Sequence, residues 1–256
     1  MEVDADGINA YAYGGAKKES LPDIEEVKAL GGNSGMDGFT AEEKDGKYYL
    51  TKTEDGVTLD FGGVAKGYLA DECRKICETR GVTSALIKIS GNIYLIGDYR
   101  DGNSDKPWGV GVINPRGGEE RKAYVCGFYE RGGVSVVTSG DYERSYDYTY
   151  GEETLKLCHI IDGKTAMPIG IAYDEAAAKY VQTQHVISAT IVGESSMLCD
   201  AYATAACVLG AEKAVEFLGK EGYRALIFTS DGKFAKVGEF DFSPNETLYK
   251  TEYTPL

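Results

Sequence analysis

Histidine is scarce in this chain. Only His159 and His185 occur, beside one tryptophan and six prolines. Six cysteines stand at 73, 77, 126, 158, 199 and 207, but none forms a CxxC pair, so they read as buried free thiols rather than zinc ligands. Positive charge is also short: 27 Lys and Arg face 41 Asp and Glu, a formal net charge of -14. A chain this acidic repels phosphate backbones, which argues against nucleic acid as a partner. An anionic ligand would need a local device to hold it: a metal, a helix N-terminus or one well-placed Lys. No apolar run is long enough to span a bilayer. The opening residues Met1-Glu-Val-Asp-Ala-Asp read as neither a signal peptide nor a lipid-attachment site.

What is abundant is glycine, with 33 residues, and tyrosine, with 19. That balance favours a turn-rich fold containing sheets over a helical bundle. Pro22 to Leu30 reads as a short helix. Lys47–Thr51 and Val57–Phe61 read as a hairpin across Glu54-Asp55-Gly56. Gly62-Gly63 then opens a helix with apolar residues at 64, 68, 69, 73, 76 and 77, and Gly81 suits its C-terminal cap. Strands are expected at 85–89, 93–97, 109–113, 122–128, 133–138, 184–192 and 225–229. Helices are expected at 195–209 and 211–219, and the last dozen residues read as an extended tail. The segment around Ala85-Leu-Ile echoes that around Ala225-Leu-Ile, each after a helix and before a hairpin turn. The fold class that follows is α+β: a single domain, 1–256, of two related helix-plus-antiparallel-sheet units.

Four segments could carry chemistry. In Leu59-Asp60-Phe61-Gly62-Gly63-Val64-Ala65-Lys66-Gly67-Tyr68 a strand ends, glycines turn and a helix begins, exposing backbone N–H groups and the positive end of a helix dipole. The three glycines leave room for a ligand to approach the backbone, and Lys66 adds a cation that opposes the dipole unless an anion is present. The same segment also fits a plain strand–turn–helix junction. In the second, Asp200 is the one charged residue of a mostly apolar helix, and Thr204 lies one turn on, so both oxygens share a face. A hard cation is a natural partner for them, although local hydrogen bonds would serve as well. The third, Val137 to Arg144, is either a polar pocket wall around Ser139 and Gly140 or a charged hairpin turn. The fourth, His159-Ile160-Ile161-Asp162, offers a general base near neutral pH or a structural histidine. His185, read as lying within a strand, is given no role.

Taken in order, these blocks resemble the FAD:protein FMN transferases, the ApbE-like flavin transferases. Leu59–Asp71 resembles D-x-G-G-[IV]-A-K-G-Y-x-x-D, and Ser90-Gly91-Asn92 a glycine turn. Thr138–Arg144 resembles T-S-G-D-Y-E-R, His159–Pro168 resembles H-I-I-D-x-x-T-x-x-P, and Met197–Gly210 resembles M-x-x-D-A-x-A-T-x-x-x-V-x-G. The likeness runs from about residue 20 to 240 and implies a T-fold-like architecture. It implies Mg²⁺ held by the main-chain oxygen of Ala65 with Asp200 and Thr204, and His159 as catalytic base. It further implies contacts to FAD from Asp60, Gly62, Lys66, Ser139 and Ile161. The implied reaction moves FMN from FAD onto a Thr or Ser hydroxyl of an acceptor protein, such as a redox-pump subunit, and releases AMP. Hydrolysis of FAD to FMN and AMP, or flavin binding without catalysis, would use the same site. The family works outside the cytoplasm, tethered by lipid, and its members carry an upstream stretch that this chain lacks. Ile169–Gln184 is longer than the family's usual loop there and reads as a lid or an insertion.

Overall fold

In the computed structural model, residues 21–31, 38–57, 59–117, 124–150, 153–245 and 253–256 are described. The chain divides into two compact units, each made of two separate stretches: 1–60 with 144–183, and 61–143 with 184–256. No linker marks the borders, which fall at Asp60/Phe61, Glu143/Arg144 and Thr183/Gln184.

The first unit is built of hairpins around helix α1 (Ile24–Gly31). Phe39–Lys44 pairs with Lys47–Lys52 across Asp45-Gly46, both at positive φ (54° and 70°), as a two-residue hairpin turn requires. This corrects the expected hairpin: Val57 and Leu59–Phe61 belong to no strand, and the strands pair across an equivalent Asp-Gly turn ten residues earlier. Ser145–Tyr150 pairs with Glu153–Cys158, and Ile161–Asp162 with Met167–Pro168. The segment 169–184 is an ordered hairpin, Ile171–Asp174 against Lys179–Gln182, rather than a loop. Its Ile171 and Tyr180 are buried with Leu21, Val27, Leu155, Leu157 and Met167, and the Tyr180 hydroxyl donates to the Pro22 carbonyl at 2.9 Å.

The second unit is a seven-stranded sheet with helices on one face and a small sheet on the other. Its strand order is 254–255, 233–237, 224–229, 186–193, 134–140, 92–96, 85–89. All neighbours are antiparallel except 233–237 with 254–255. Helix α2 (Ala65–Thr79) packs on the hairpin 85–96 that follows it, and helix α4 (Ala211–Lys220) packs on its own following hairpin, 224–237. The expected pair of helix-then-hairpin units on a common sheet is therefore present. Helix α3 (Ser196–Leu209) lies over the central strands 134–140 and 186–193. On the opposite face Leu95, Val136, Val192, Leu226 and Phe228 are buried with Val110, Val112, Cys126 and Phe128 of the three-stranded sheet.

Helix boundaries follow local chemistry. The Ser195 hydroxyl accepts from Leu198 N at 3.3 Å, capping α3, and Gly210 (φ 80°) ends it. Val64, the residue that caps α2, has no side-chain oxygen to offer, so the N–H groups of the first turn must find acceptors elsewhere.

Candidate functional site

The missing acceptor for α2 comes from α3. Asp200 Oδ2 accepts from Gly67 N, the third N–H of α2, at 2.9 Å. The arrangement is reciprocal. Asp71, on α2, accepts from the Ser195 hydroxyl at 3.1 Å and from the Ser196 and Met197 N–H groups at 3.0 Å each, the first turn of α3. Each helix start is thus held by a carboxylate of the other, where the helix dipole favours negative charge. Gly67 makes the crossing possible. A Cβ there would stand 2.7 Å from Met197 Cα and closer still to the Ser196 carbonyl oxygen. What approaches the Gly67 backbone is the neighbouring helix, which corrects the expectation that a ligand does so.

Asp200 is 1 % exposed. Its second oxygen, Oδ1, has no hydrogen-bond partner and faces the Lys66 ammonium at 3.4 Å. Lys66 also donates to the Gly62 carbonyl at 3.1 Å. Its place at a helix start, where a cation is unfavourable, is explained by this buried carboxylate; no anionic ligand need be invoked. One turn on, the Thr204 hydroxyl donates to the Asp200 carbonyl at 3.2 Å and lies 3.2 Å from the Ser139 hydroxyl. Gly63 lies against Thr204, since a Cβ there would be 3.4 Å from its Oγ1. Ala65, exposed and between Gly63 and Gly67, therefore sits where α2 meets the Asp200–Thr204 face. Asp200, Thr204, Ser139, Lys66, Gly62 and Ala65 are brought together within one unit.

These donors suit a hard divalent cation. All are oxygens, one carboxylate oxygen is buried without a hydrogen bond, and a lysine ammonium already occupies the position of a positive charge. Among the described residues no three His, Cys, Asp or Glu side chains cluster as a metal cage. An ion held here would depend on one carboxylate with neutral oxygens and would retain water, as magnesium does and structural zinc does not.

Asp60, His159 and Ile161 lie in the other unit. Asp60 is exposed at its border, and Ile161 is half-buried in the short strand Ile161–Asp162. His159 is half-buried, and its backbone N–H donates to the Arg144 carbonyl at 3.2 Å. The Asp162 carboxylate accepts from Lys164 N at 3.0 Å and so shapes its own turn.

Two groups of residues escaped the sequence reading. Asp71 matched a motif position without an assigned task; a lone Asp seven residues into a helix gave no hint of the helix it caps. Asp141, 1 % exposed, takes two bonds of 2.8 Å from Arg116 and a third of 2.9 Å from His185 Nε2. Burial pushes the Asp141 carboxyl pKa up, but Arg116 and His185 outweigh it and hold the group below its ordinary range. An ionised carboxylate can only accept, so the His185 Nε2 carries the proton of that bond. This cluster clamps the chain just after Ser139-Gly140.

A family model described as the ApbE family matches residues 5–227, most of the chain. The chain belongs to the ApbE family. It is 25 % identical over 226 residues to the FAD:protein FMN transferase of Escherichia coli K12, covering 88 % of this chain and 58 % of that one. It is 33 % identical over 168 residues to the protein of the same name from Treponema pallidum, covering 64 % of this chain and 41 % of that one. The crystal structure of the ApbE protein of Thermotoga maritima superposes with a TM-score of 0.70 at 25 % identity, covering 96 % of this chain and 70 % of that one. The apo flavinyl transferase ApbE of Pseudomonas stutzeri shares the fold, with a TM-score of 0.63 at 23 % identity. The chain spans less than two thirds of the length of these two curated relatives.

Proposed function

We propose that this chain acts as an FAD:protein FMN transferase, moving FMN from FAD to an acceptor hydroxyl and releasing AMP. One observation carries the reading: the Asp200 Oδ1 atom, buried without a hydrogen bond beside a helix start, on the face that also presents Thr204. The family relationship supplies the substrate, and the residues supply the division of labour. Asp200, Thr204 and the Ala65 carbonyl would hold Mg²⁺, whose charge would offset that developing on the pyrophosphate. Gly62 and the positive end of the α2 dipole would favour a phosphate beside the ion. With a cation at Asp200, Lys66 would be free to offer its ammonium to a phosphate oxygen. Ser139, hydrogen-bonded to Thr204, orients that hydroxyl.

In the transfer itself, an acceptor Thr or Ser oxygen forms a bond to the FMN phosphorus as the bond to AMP breaks. The proton of that hydroxyl passes to His159, which we assign as base on its motif, with Asp60 and Ile161 contacting the dinucleotide. Remote FAD contacts do no more than position the phosphorus in line. A membrane-tethered extracytoplasmic setting belongs to the same proposal.

The test uses FAD, Mg²⁺ and an acceptor peptide containing a single Thr. Covalent flavin on the peptide, read by in-gel fluorescence, with equimolar AMP, is the expected result. Asp200→Asn should lose both. Normal FMN transfer by that variant overturns the assignment. AMP formed at the same rate with or without peptide would show that the enzyme hydrolyses FAD instead.

A further inference from the structure

A second buried group without partners lies under the crossing of α2 and α3. Asn92 opens the strand Asn92–Ile96; it is 0 % exposed, and neither its Oδ1 nor its Nδ2 has a hydrogen-bond partner. Native interiors rarely strand an entire side-chain amide, and an exception marks a water, ion or ligand that completes it.

Sheet register fixes where this amide points. Ile93 and Leu95 pack into the core beneath the sheet, so the alternate residues 92 and 94 face the helices. Tyr94 confirms this, with the Arg74 guanidinium of α2 stacked 5.2 Å from its ring centre. Stepping back along the strand from Tyr94 to Asn92 corresponds to about one turn of the overlying helix, from Arg74 to Ala70. The neighbouring strand gives the same level independently. The Ser135 hydroxyl meets Ser196 at 2.8 Å and the Ser139 hydroxyl meets Thr204 at 3.2 Å, so α3 runs alongside 135–139 with Asp200 level with Val137. Asn92 is the register partner of Val137. The first route puts Asn92 beneath Ala70, one turn from Gly67, and the second puts it level with Asp200. The same layer therefore holds two buried polar groups with unmet hydrogen-bonding capacity, the Asn92 amide and Asp200 Oδ1.

We infer that Asn92 is a positioning residue of the cation site: its amide holds a water in the hydration shell of the ion that Asp200 Oδ1 faces. The inference rests on the reading of Asp200 and Thr204 as a divalent-cation site. An ion bound by one carboxylate and neutral oxygens keeps several waters, and a fixed amide that orients one of them strengthens binding.

The test is calorimetric titration of the FAD-free chain with Mn²⁺ and Mg²⁺, joined to thermal unfolding in EDTA. Asp200→Asn should abolish binding. Asn92→Leu should weaken Mn²⁺ binding roughly tenfold or more, the scale of outer-shell substitutions. Its metal-free Tm should equal or exceed the wild-type value, because an alkyl group of similar size replaces an amide without partners. Asn92→Ser, small and still able to hold a water, should give a partial loss and covers the case in which the leucine variant fails to fold. Wild-type affinity in both Asn92 variants, with binding lost in Asp200→Asn, would refute the role of Asn92 and leave the cation site standing. A lowered metal-free Tm with unchanged affinity would mark Asn92 as merely structural. Wild-type binding by Asp200→Asn would overturn both readings.

Discussion

Asp71→Ala should destabilise the helix-bearing unit by about 3 kcal/mol. The carboxylate accepts from two backbone N–H groups and one hydroxyl at the start of α3, and it is itself buried. Hydrogen bonds to charged groups contribute about 1.5–3 kcal/mol each, and a favourable charge at a helix N-terminus about 0.3–1 kcal/mol. The three are not additive. Met197 is partly exposed, so water can replace the acceptor at its N–H, and the Ser195 hydroxyl is free to turn to solvent. Ser196 is fully buried, and its N–H would lose its acceptor without replacement, at about 1–3 kcal/mol. About 3 kcal/mol is therefore one unreplaced loss plus the charge and a partial cap. For a chain of this length that corresponds to roughly 6–12 °C in Tm. The only tryptophan, Trp108, lies in the same unit and donates to the Gly97 carbonyl at 2.7 Å, so its fluorescence in urea reports this unit alone. Asp71→Asn keeps an acceptor oxygen but loses the charge and should fall about midway. A loss below about 1 kcal/mol in Asp71→Ala, at unchanged urea dependence, would show that α3 does not depend on α2 for its start.

Acid should unfold the same unit partly through Asp141. Its folded pKa lies below the unfolded value of about 3.9, so its contribution is whole above that pH and is lost as pH falls through the folded value. Asp141→Asn should be less stable at pH 7 and should show a flatter loss of stability between pH 4 and 2; an unaltered slope would rule out this carboxylate as the titrating group. Burial pushes the thiols of Cys126 and Cys199 up to about 12. At pH 8 both should resist a disulfide reagent in the folded protein while the half-buried Cys73 and Cys77 react, as read by peptide mapping. Rapid labelling of Cys199 would mean that the first turn of α3 opens in the native state.

By itself the sequence determined the elements and the chemistry on each. Glycines at 62–63, 81 and 210 and the serine at 195 punctuate the helices, and strand alternation in a half-buried sheet repeats every two residues; such signals are local, and they placed α2, α3, α4 and the expected strands of the large sheet within a residue or two, while the hairpins of 145–182 went unread. The pairing of Asp200 with Thr204 was legible because a helix fixes the geometry of residues four apart. The hairpin at 39–52 was misplaced because two candidate turns stood close together, and only strand pairing chose between them. What the sequence could not hold is anything that depends on which surfaces meet. That Lys66 answers Asp200, that Gly67 is small for the sake of a helix, that Asp71 caps α3, and that Asn92 lies in the layer of Asp200 all follow from one helix crossing and one strand register. The partners in those contacts are separated by tens of residues or more, and their side-chain types alone carry no record of the distance between them; packing decided it, because only a close crossing buries the helix faces while giving each exposed helix start an acceptor.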